Sequence, residues 1–510
     1  MKKTAHIYPT VKISSVEENA GTVIVRGTAK HLGQRKVEVI VNHDLHMRFV
    51  AENDECGQWV CQFHVSYNGE YCIEASVRDY SDFSQIRQTT RDTNYFMLED
   101  AVVWGATVTK HTDGRYYMLF ATWDKHNGFT TDWQHYSEIR YAVSTTLEGP
   151  YIYKGRALDA SYSNTTHTHP IKWMYDGVEA TLNVFHNPTV MHSEKDGKYY
   201  LYFMGTSADD MSLSYPRKRV GVAYANSPAG PWTILDTPLL DVRCDNWDTH
   251  HISNPSVTEI KNPDGTYTYY AVYKGSGAYE GQSLIATGFG RASSPLGPFE
   301  RADFPIMRDR EVGFSVEDCY VWVHNGQFYA LAKDMTQGNW SGVKGAYAYA
   351  LFESLDGETW GLSKHNLAFK NEILWASGTQ KVAFYERSQL YLEKGIPYML
   401  FNATTVNGKS PYEENQPYNV RTPLLGVEMS SDTRAITVKD VIDKTVNIAK
   451  LEELLGIALE LSQQHFSTED YKAFASAVFA AKVVLSQSHA NQETIDFVAN
   501  ALAQALAKKK

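Results

Sequence analysis

The chain has 510 residues and a net charge of −11, with no long basic run. That length is enough for several domains, and that charge argues against nucleic acid or an anionic membrane as partners. The 33 tyrosines and 11 tryptophans suit either packing between strands or stacking on sugars, and composition alone does not choose between them.

The opening MKKTAHIYPTV is basic but has no apolar stretch. As written it predicts no signal peptide, and nothing in the chain predicts insertion into a membrane. That reading places the protein in the cytoplasm, whereas its modular make-up points to secretion or the cell surface. Residues 1–92 contain TVIVRGTA, KVEVIVN, GQWVCQFHV and YCIEASVRD. In the third of these, Trp59, Cys61, Phe63 and Val65 share one face at the two-residue period of a strand. Runs of this length predict an immunoglobulin-like β-sandwich that serves as a packing and spacing module.

Residues 93–440 repeat one phrase. It reads TDGRYYMLF from Thr112, KDGKYYLYF from Lys195, PDGTYTYYAV from Pro263, HNGQFYALA from His324 and KGIPYMLF from Lys394. Asp-Gly and Asn-Gly suit a tight hairpin, because both central positions tolerate positive φ. An apolar run precedes each copy, as in AVVWGATVTK and CYVWVH. A further strand follows, closed in three cases by Gly-Pro-aromatic, as in RVGVAYANSPAGPW. About four strands per unit and five units predict a mainly β fold, a five-bladed β-propeller. An aromatic β-sandwich would not need the phrase five times.

Residues 441–510 change period. Leu451, Leu454, Leu455 and Ala458 share a helical face. Ser467 caps a second helix, and Asn491 precedes a third with Ile495, Val498, Ala499, Leu502 and Leu506 in one stripe. These elements predict a three-helix bundle.

Polar residues collect ahead of each innermost strand. They are Leu98-Glu99-Asp100, Phe185-His186-Asn187-Pro188, Ser253-Asn254-Pro255, Val316-Glu317-Asp318 and Phe384-Tyr385-Glu386-Arg387. Five such clusters at one place in the repeat predict a pocket on the propeller axis, with Asp100 and Glu317 facing each other across it. Cleaving a glycosidic bond takes two carboxyl groups. About 5–5.5 Å between them gives retention of configuration, and about 6.5–9.5 Å gives inversion. Asp318 would raise the proton affinity of a neighbouring carboxyl. His186 and Arg387 could orient or neutralise an anionic sugar substituent, Asn187 and Asn254 either touch ligand or hold backbone, and Trp104 and Trp123 either stack on sugars or pack. The five cysteines show no CxxC pair or Cys/His spacing, and His250 and His251 lack a third ligand, so no metal is assigned.

Taken in order, WGATVTKHTDGRYYMLFATW, SEIRYAVSTTLEGPY, HNPTV, SNPSV and VEDCYVWVHNGQFYALAKDM resemble bacterial five-bladed propeller glycoside hydrolases related to families 43 and 117. The resemblance covers roughly 95–405. It implies that terminal sugars are cleaved from an oligosaccharide or polysaccharide, with Asp100 as base and Glu317 as acid. The third carboxylate of family 43 would fall near Asn187 or Asn254, and neither is acidic, which moves its role to Asp318. Such propellers often hold a central ion or water, but no ligand set here identifies one, so no cofactor is assigned. The tail, with YKAFASAVFAAKVVLSQSHANQETIDFVANALAQAL, resembles the FIVAR module of bacterial surface carbohydrate-active enzymes. Two rival functions remain: a non-catalytic glycan-binding propeller, and a polysaccharide lyase using His186 or a tyrosine as base with Arg387 on a uronate.

Overall fold

The computed structural model describes residues 8–124, 129–159, 170–345, 347–410, 416–439, 441, 446–487 and 490–510. The basic opening, residues 1–7, lies outside them. Five four-stranded antiparallel sheets form the middle of the chain. Their first strands are Ala101–Lys110, Val184–His192, His251–Lys261, Val316–His324 and Glu386–Glu393. Each touches the next in this order, and the fifth touches the first, so the five strands close a ring. The outermost strand of the fifth sheet comes from before the first: Tyr95 and Phe96 pair with Val420 and Asn419. The two ends of the ring segment thus meet within one sheet.

The repeated phrase is the hairpin between the first and second strands of every sheet. Gly114, Gly197, Gly265, Gly326 and Gly395 all have φ between 71° and 83°, a range that glycine enters without a Cβ penalty. In the fourth and fifth sheets the turn has two residues, Asn325-Gly326 and Lys394-Gly395, all at positive φ. The three Gly-Pro turns are cis.

A second repeat lies inside the first strands. Each slips register near its start, between Trp104 and Thr107, His186 and Thr189, Ser253 and Ser256, Glu317 and Tyr320, and Glu386 and Gln389, and the fifth slips again between Tyr391 and Leu392. The extra residue of each β-bulge sits in the left-handed region: Gly105, Asn187, Asn254, Asp318 and Arg387, at φ 58°, 52°, 51°, 52° and 52°. Four of these are not glycine, and such residues there cost energy that the surrounding fold has to offset.

Before the ring, two four-stranded sheets enclose one apolar core that includes Val23, Val25, Trp59, Phe63 and Ile73. One strand of this pair comes from the far side of the ring in sequence. Val427–Val438 follows the ring but pairs along its whole length with Gly69–Asp79, so the chain returns to complete the N-terminal sheet pair. The first and last segments of the ring are thereby tethered to one support.

The tail holds three helices, Ala449–Leu459, Thr468–Ser486 and Gln492–Leu506, packed on a shared apolar core. The Ser467 and Asn491 side chains accept from the backbone N–H groups of Asp470 and Thr494 at 3.1 and 2.9 Å, satisfying donors that a helix start leaves open. The second helix rests on strand Ile152–Leu158, where Tyr153 N–H donates to Ser476 Oγ at 3.0 Å. Among the described residues, no helix is long and apolar enough to cross a membrane.

Candidate active site

Four of the five bulge residues, Asn187, Asn254, Asp318 and Arg387, line one cavity of about 170 Å³ on the ring axis. Asn187 Nδ2 donates to Asn254 Oδ1 at 2.8 Å, Asn254 Nδ2 to Asp318 Oδ1 at 2.7 Å, and Arg387 Nη1 to Asp318 Oδ1 at 3.3 Å. This chain of hydrogen bonds links the second sheet to the fifth. The first sheet contributes Gly105 instead, and the Arg387 side chain lies over it: a Cβ there would stand 3.3–3.4 Å from Arg387 Cβ, Cγ and Nε. Arg387 and Asp318 are a buried ion pair, 2% and 5% exposed.

The residue just before each bulge also faces the cavity. Going round the ring these are Trp104, His186, Ser253, Glu317 and Glu386. Lysines on second strands reach the two glutamates. Lys333 is the register partner of Glu317, and Lys274 is the partner of Ser253. Lys274 Nζ donates to Glu317 Oε1 at 2.7 Å; Lys333 Nζ lies 2.8 Å from Glu317 Oε2 and 2.6 Å from Glu386 Oε1. One ammonium therefore bridges both carboxyls, and those two oxygens are no further apart than the sum of its contacts.

The two glutamates are driven in opposite directions. Burial alone would raise the pKa of Glu317, but Lys274 and Lys333 outweigh it and hold this carboxylate well below its usual range. Glu386 is pushed up to about 7. Burial comes first, the negative charges of Asp318 and Glu317 add to it, and Lys333 opposes without prevailing. Although Glu386 forms an ion pair, burial together with the two nearby carboxylates therefore makes it the one that holds its proton up toward neutrality.

His186 is 4% exposed and stacks on Trp133 at 4.8 Å. Burial, then the charges of Arg387 and Lys218, depress its pKa well below normal. Ser137 donates its hydroxyl to the Phe185 carbonyl at 2.8 Å and stands 2.8 Å from His186 Nδ1. With that proton committed, the neutral ring donates from Nδ1 and keeps Nε2 as an acceptor.

Of the residues singled out from sequence, the cavity gathers Glu317, Asp318, His186, Asn187, Asn254, Arg387 and Trp104. Two are placed elsewhere. Asp100 does not face Glu317. It lies beneath the tail, lining a separate cavity of about 70 Å³ with Glu99, Tyr471 and Lys472, and its Oδ2 is 3.6 Å from Lys472 Nζ. Trp123 is 1% exposed and packs against Phe129 and His186, so it offers no face to a sugar. Each bulge lies eight to eleven residues before its turn glycine, whereas Asp100 lies fourteen before Gly114. Counting back from the turn leads to Trp104-Gly105 instead.

Sequence reasoning missed Glu386 as the partner of Glu317, and it missed Lys218, Lys274, Lys333 and Trp133. For two of the lysines the signal was a lysine inside an otherwise apolar strand, YYAVYK for Lys274 and YALAK for Lys333. Among the described residues, no group of three His, Cys, Asp or Glu side chains could hold a metal, and the five cysteines are free.

No family model matches the chain, and no curated protein matches it. It is similar to several solved structures. One is a thermostable family-43 glycoside hydrolase, at 14% identity over 67% of this chain and 97% of that one, with a TM-score of 0.45. Another is a family 117 glycoside hydrolase of the marine bacterium Zobellia galactanivorans, at 16% identity over 65% and 88%, TM-score 0.43. A third is an α-L-arabinofuranosidase from Lactobacillus brevis, at 14% identity over 66% and 97%, TM-score 0.41.

Proposed function

We propose that the ring is a five-bladed propeller and that the protein is a glycoside hydrolase whose acting pair is Glu317 and Glu386. The observation that carries this reading is the shared Lys333 bridge between two glutamates of opposed proton affinity. Two carboxyls in one pocket, one kept ionised and one kept protonated, divide naturally into nucleophile and acid. Their closeness favours the retaining geometry of about 5–5.5 Å over the wider spacing that admits a water between them. In the first step Glu386 gives its proton to the glycosidic oxygen. Glu317 forms an ester with the anomeric carbon as the bond to the leaving sugar breaks. In the second step Glu386 takes a proton from water, whose oxygen displaces Glu317. Lys274 and Lys333 hold the Glu317 carboxylate in place throughout, and His186 Nε2 can accept from a sugar hydroxyl.

A closed pocket on the axis suits a terminal sugar better than the interior of a long chain. The helical tail is read as a FIVAR-like module, on its capped three-helix pattern. One observation favours a second reading: Lys218 is a buried amine driven toward its neutral form, as the base of a polysaccharide lyase would be. Product chromatography over a glycan panel, with an ultraviolet detector, tests both. Released saturated sugar that keeps its anomeric configuration supports the hydrolase. An absorbing unsaturated product replaces it with the lyase, and binding without any product leaves only a glycan-binding propeller.

A further inference from the structure

The charged groups around the axial cavity do not balance. Lys274 and Lys333 each contact a glutamate, Glu317 or Glu386, and Arg387 contacts Asp318. Lys218 is the fourth cation on the wall. It is 4% exposed, and among the described residues no carboxylate stands within ion-pairing distance of it, Glu317 attracting it only from further off. Its ammonium instead lies 3.2 Å from the ring centre of Tyr215 and 4.6 Å from that of Trp133. Burial, and then the charge of Lys274, drive it toward deprotonation. An unpaired buried cation is costly, and this one lines a cavity in a protein whose net charge is −11. A fold that needed only to fill this place had cheaper residues to use.

We propose that Lys218 is the counter-charge for an anionic group on the bound sugar, so that the pocket selects a ring bearing a carboxylate or sulfate over its neutral counterpart. This rests on the axial pocket being a sugar site, as proposed above, but not on the hydrolytic step. Arrival of the anion supplies the partner that the protein itself withholds, restores the charged form of Lys218, and forms a charge-assisted bond in a place shielded from water. A neutral sugar leaves Lys218 unmatched and gains none of this. Aromatic rings stand beside the ammonium where a protein carboxylate could have paired with it, so that the position stays free for ligand.

The test is calorimetric binding of monosaccharides, which have no glycosidic bond to cleave, to the full chain. Glucuronic and galacturonic acids are compared with glucose and galactose, and galactose 6-sulfate is the sulfate arm. At least one anionic sugar is expected to bind about tenfold or more tighter than its neutral counterpart, and the tighter arm distinguishes carboxylate from sulfate. In Lys218→Met, with an unchanged melting profile, that preference should shrink to within about threefold. Equal binding of charged and neutral sugars by the unaltered protein overturns the proposal without any variant, as does a preference that survives in Lys218→Met. If anionic sugars are preferred but no glycoside is cleaved, the hydrolase reading fails while this one stands. Cleavage of neutral glycosides with no charge preference gives the reverse.

Discussion

The two halves of the axial pocket use one backbone device for different ends. On the first three sheets the residues before the bulge are Trp104, His186 and Ser253; on the last two they are Glu317 and Glu386. The bulge residues divide in the same way, with Gly105, Asn187 and Asn254 on one side and Asp318 and Arg387 on the other. The repeated bulge thus acts as a mount: it aims five side chains at one point, and the choice of side chain sets what each sheet contributes. At these bulge positions the first three sheets offer neutral hydrogen-bonding and aromatic surface, and the last two carry every carboxylate. Carboxylates confined to one side influence each other's protons, which five evenly spread ones would do weakly.

The strongest way to break this division is to neutralise its charged half. Glu317→Gln and Glu386→Gln should each lower kcat by about 10²–10⁴-fold, with melting temperatures still measurable, whereas Ser253→Ala should change it by less than about tenfold. If the Gln variants keep wild-type turnover, the acting pair lies elsewhere. The pH profile sharpens the same point. In the proposed role Glu386 acts in its protonated form, and its pKa is pushed up to about 7, so kcat/KM should fall as pH rises through that value. Glu317 stays ionised far into acid and adds no acid limb of its own in the ordinary range. Stability carries a matching sign. A carboxyl whose folded pKa lies above its unfolded value stabilises fully below the unfolded pKa, and that contribution is lost as pH rises through about 7. Glu386→Gln should remove this part of the slope in melts taken from pH 5 to 8.

The next effect concerns the link between the halves. Asp318 accepts from Asn254 on one side and Arg387 on the other. Asp318→Ala leaves a guanidinium buried without its counter-ion, a loss of about 3–5 kcal/mol in denaturant unfolding. Gly105→Ala should cost less, about 1–3 kcal/mol, because it places a Cβ at φ 58° against the Arg387 side chain. Should Gly105→Ala prove neutral, Arg387 is free to move and the fifth position is not closed by it.

What could be read from the chain follows from how local each signal is. The turn phrase lies within nine or so residues of sequence, so its five copies announced five hairpins. The polar clusters ahead of it pointed to Glu317, Asp318, Asn187, Asn254 and Arg387, which do meet in one cavity. Lys333 and Lys274 were hidden because a strand reads as packing until its register partner is known, and only the pairing sets Lys333 opposite Glu317. Val427–Val438 carries no copy of the phrase, and its partner, Gly69–Asp79, lies on the far side of the whole ring in sequence. No local pattern reports a pairing of that kind. Asp100 was misplaced for a related reason. The first bulge residue is a glycine after a tryptophan, so the only acidic signal nearby drew the alignment away from Trp104-Gly105 and toward the strand's beginning.

Asp100 therefore provides the smallest and most discriminating prediction. Its Oδ2 lies 3.6 Å from Lys472 Nζ, and its side chain is 23% exposed. Lys472 is itself nearly buried, yet it also has Asp124 at 3.4 Å and Glu469 at 4.0 Å. Removing one of three acidic neighbours leaves the ammonium compensated. Asp100→Asn should accordingly keep turnover within about twofold and shift stability by less than about 1 kcal/mol. Any loss should appear as weaker docking of the helix Thr468–Ser486 on the first sheet, seen as faster amide exchange in that helix. A fall in kcat comparable to that of Glu317→Gln would instead mean that Asp100 reaches the axis during catalysis, and the neutral half of the pocket would then hold an acid after all.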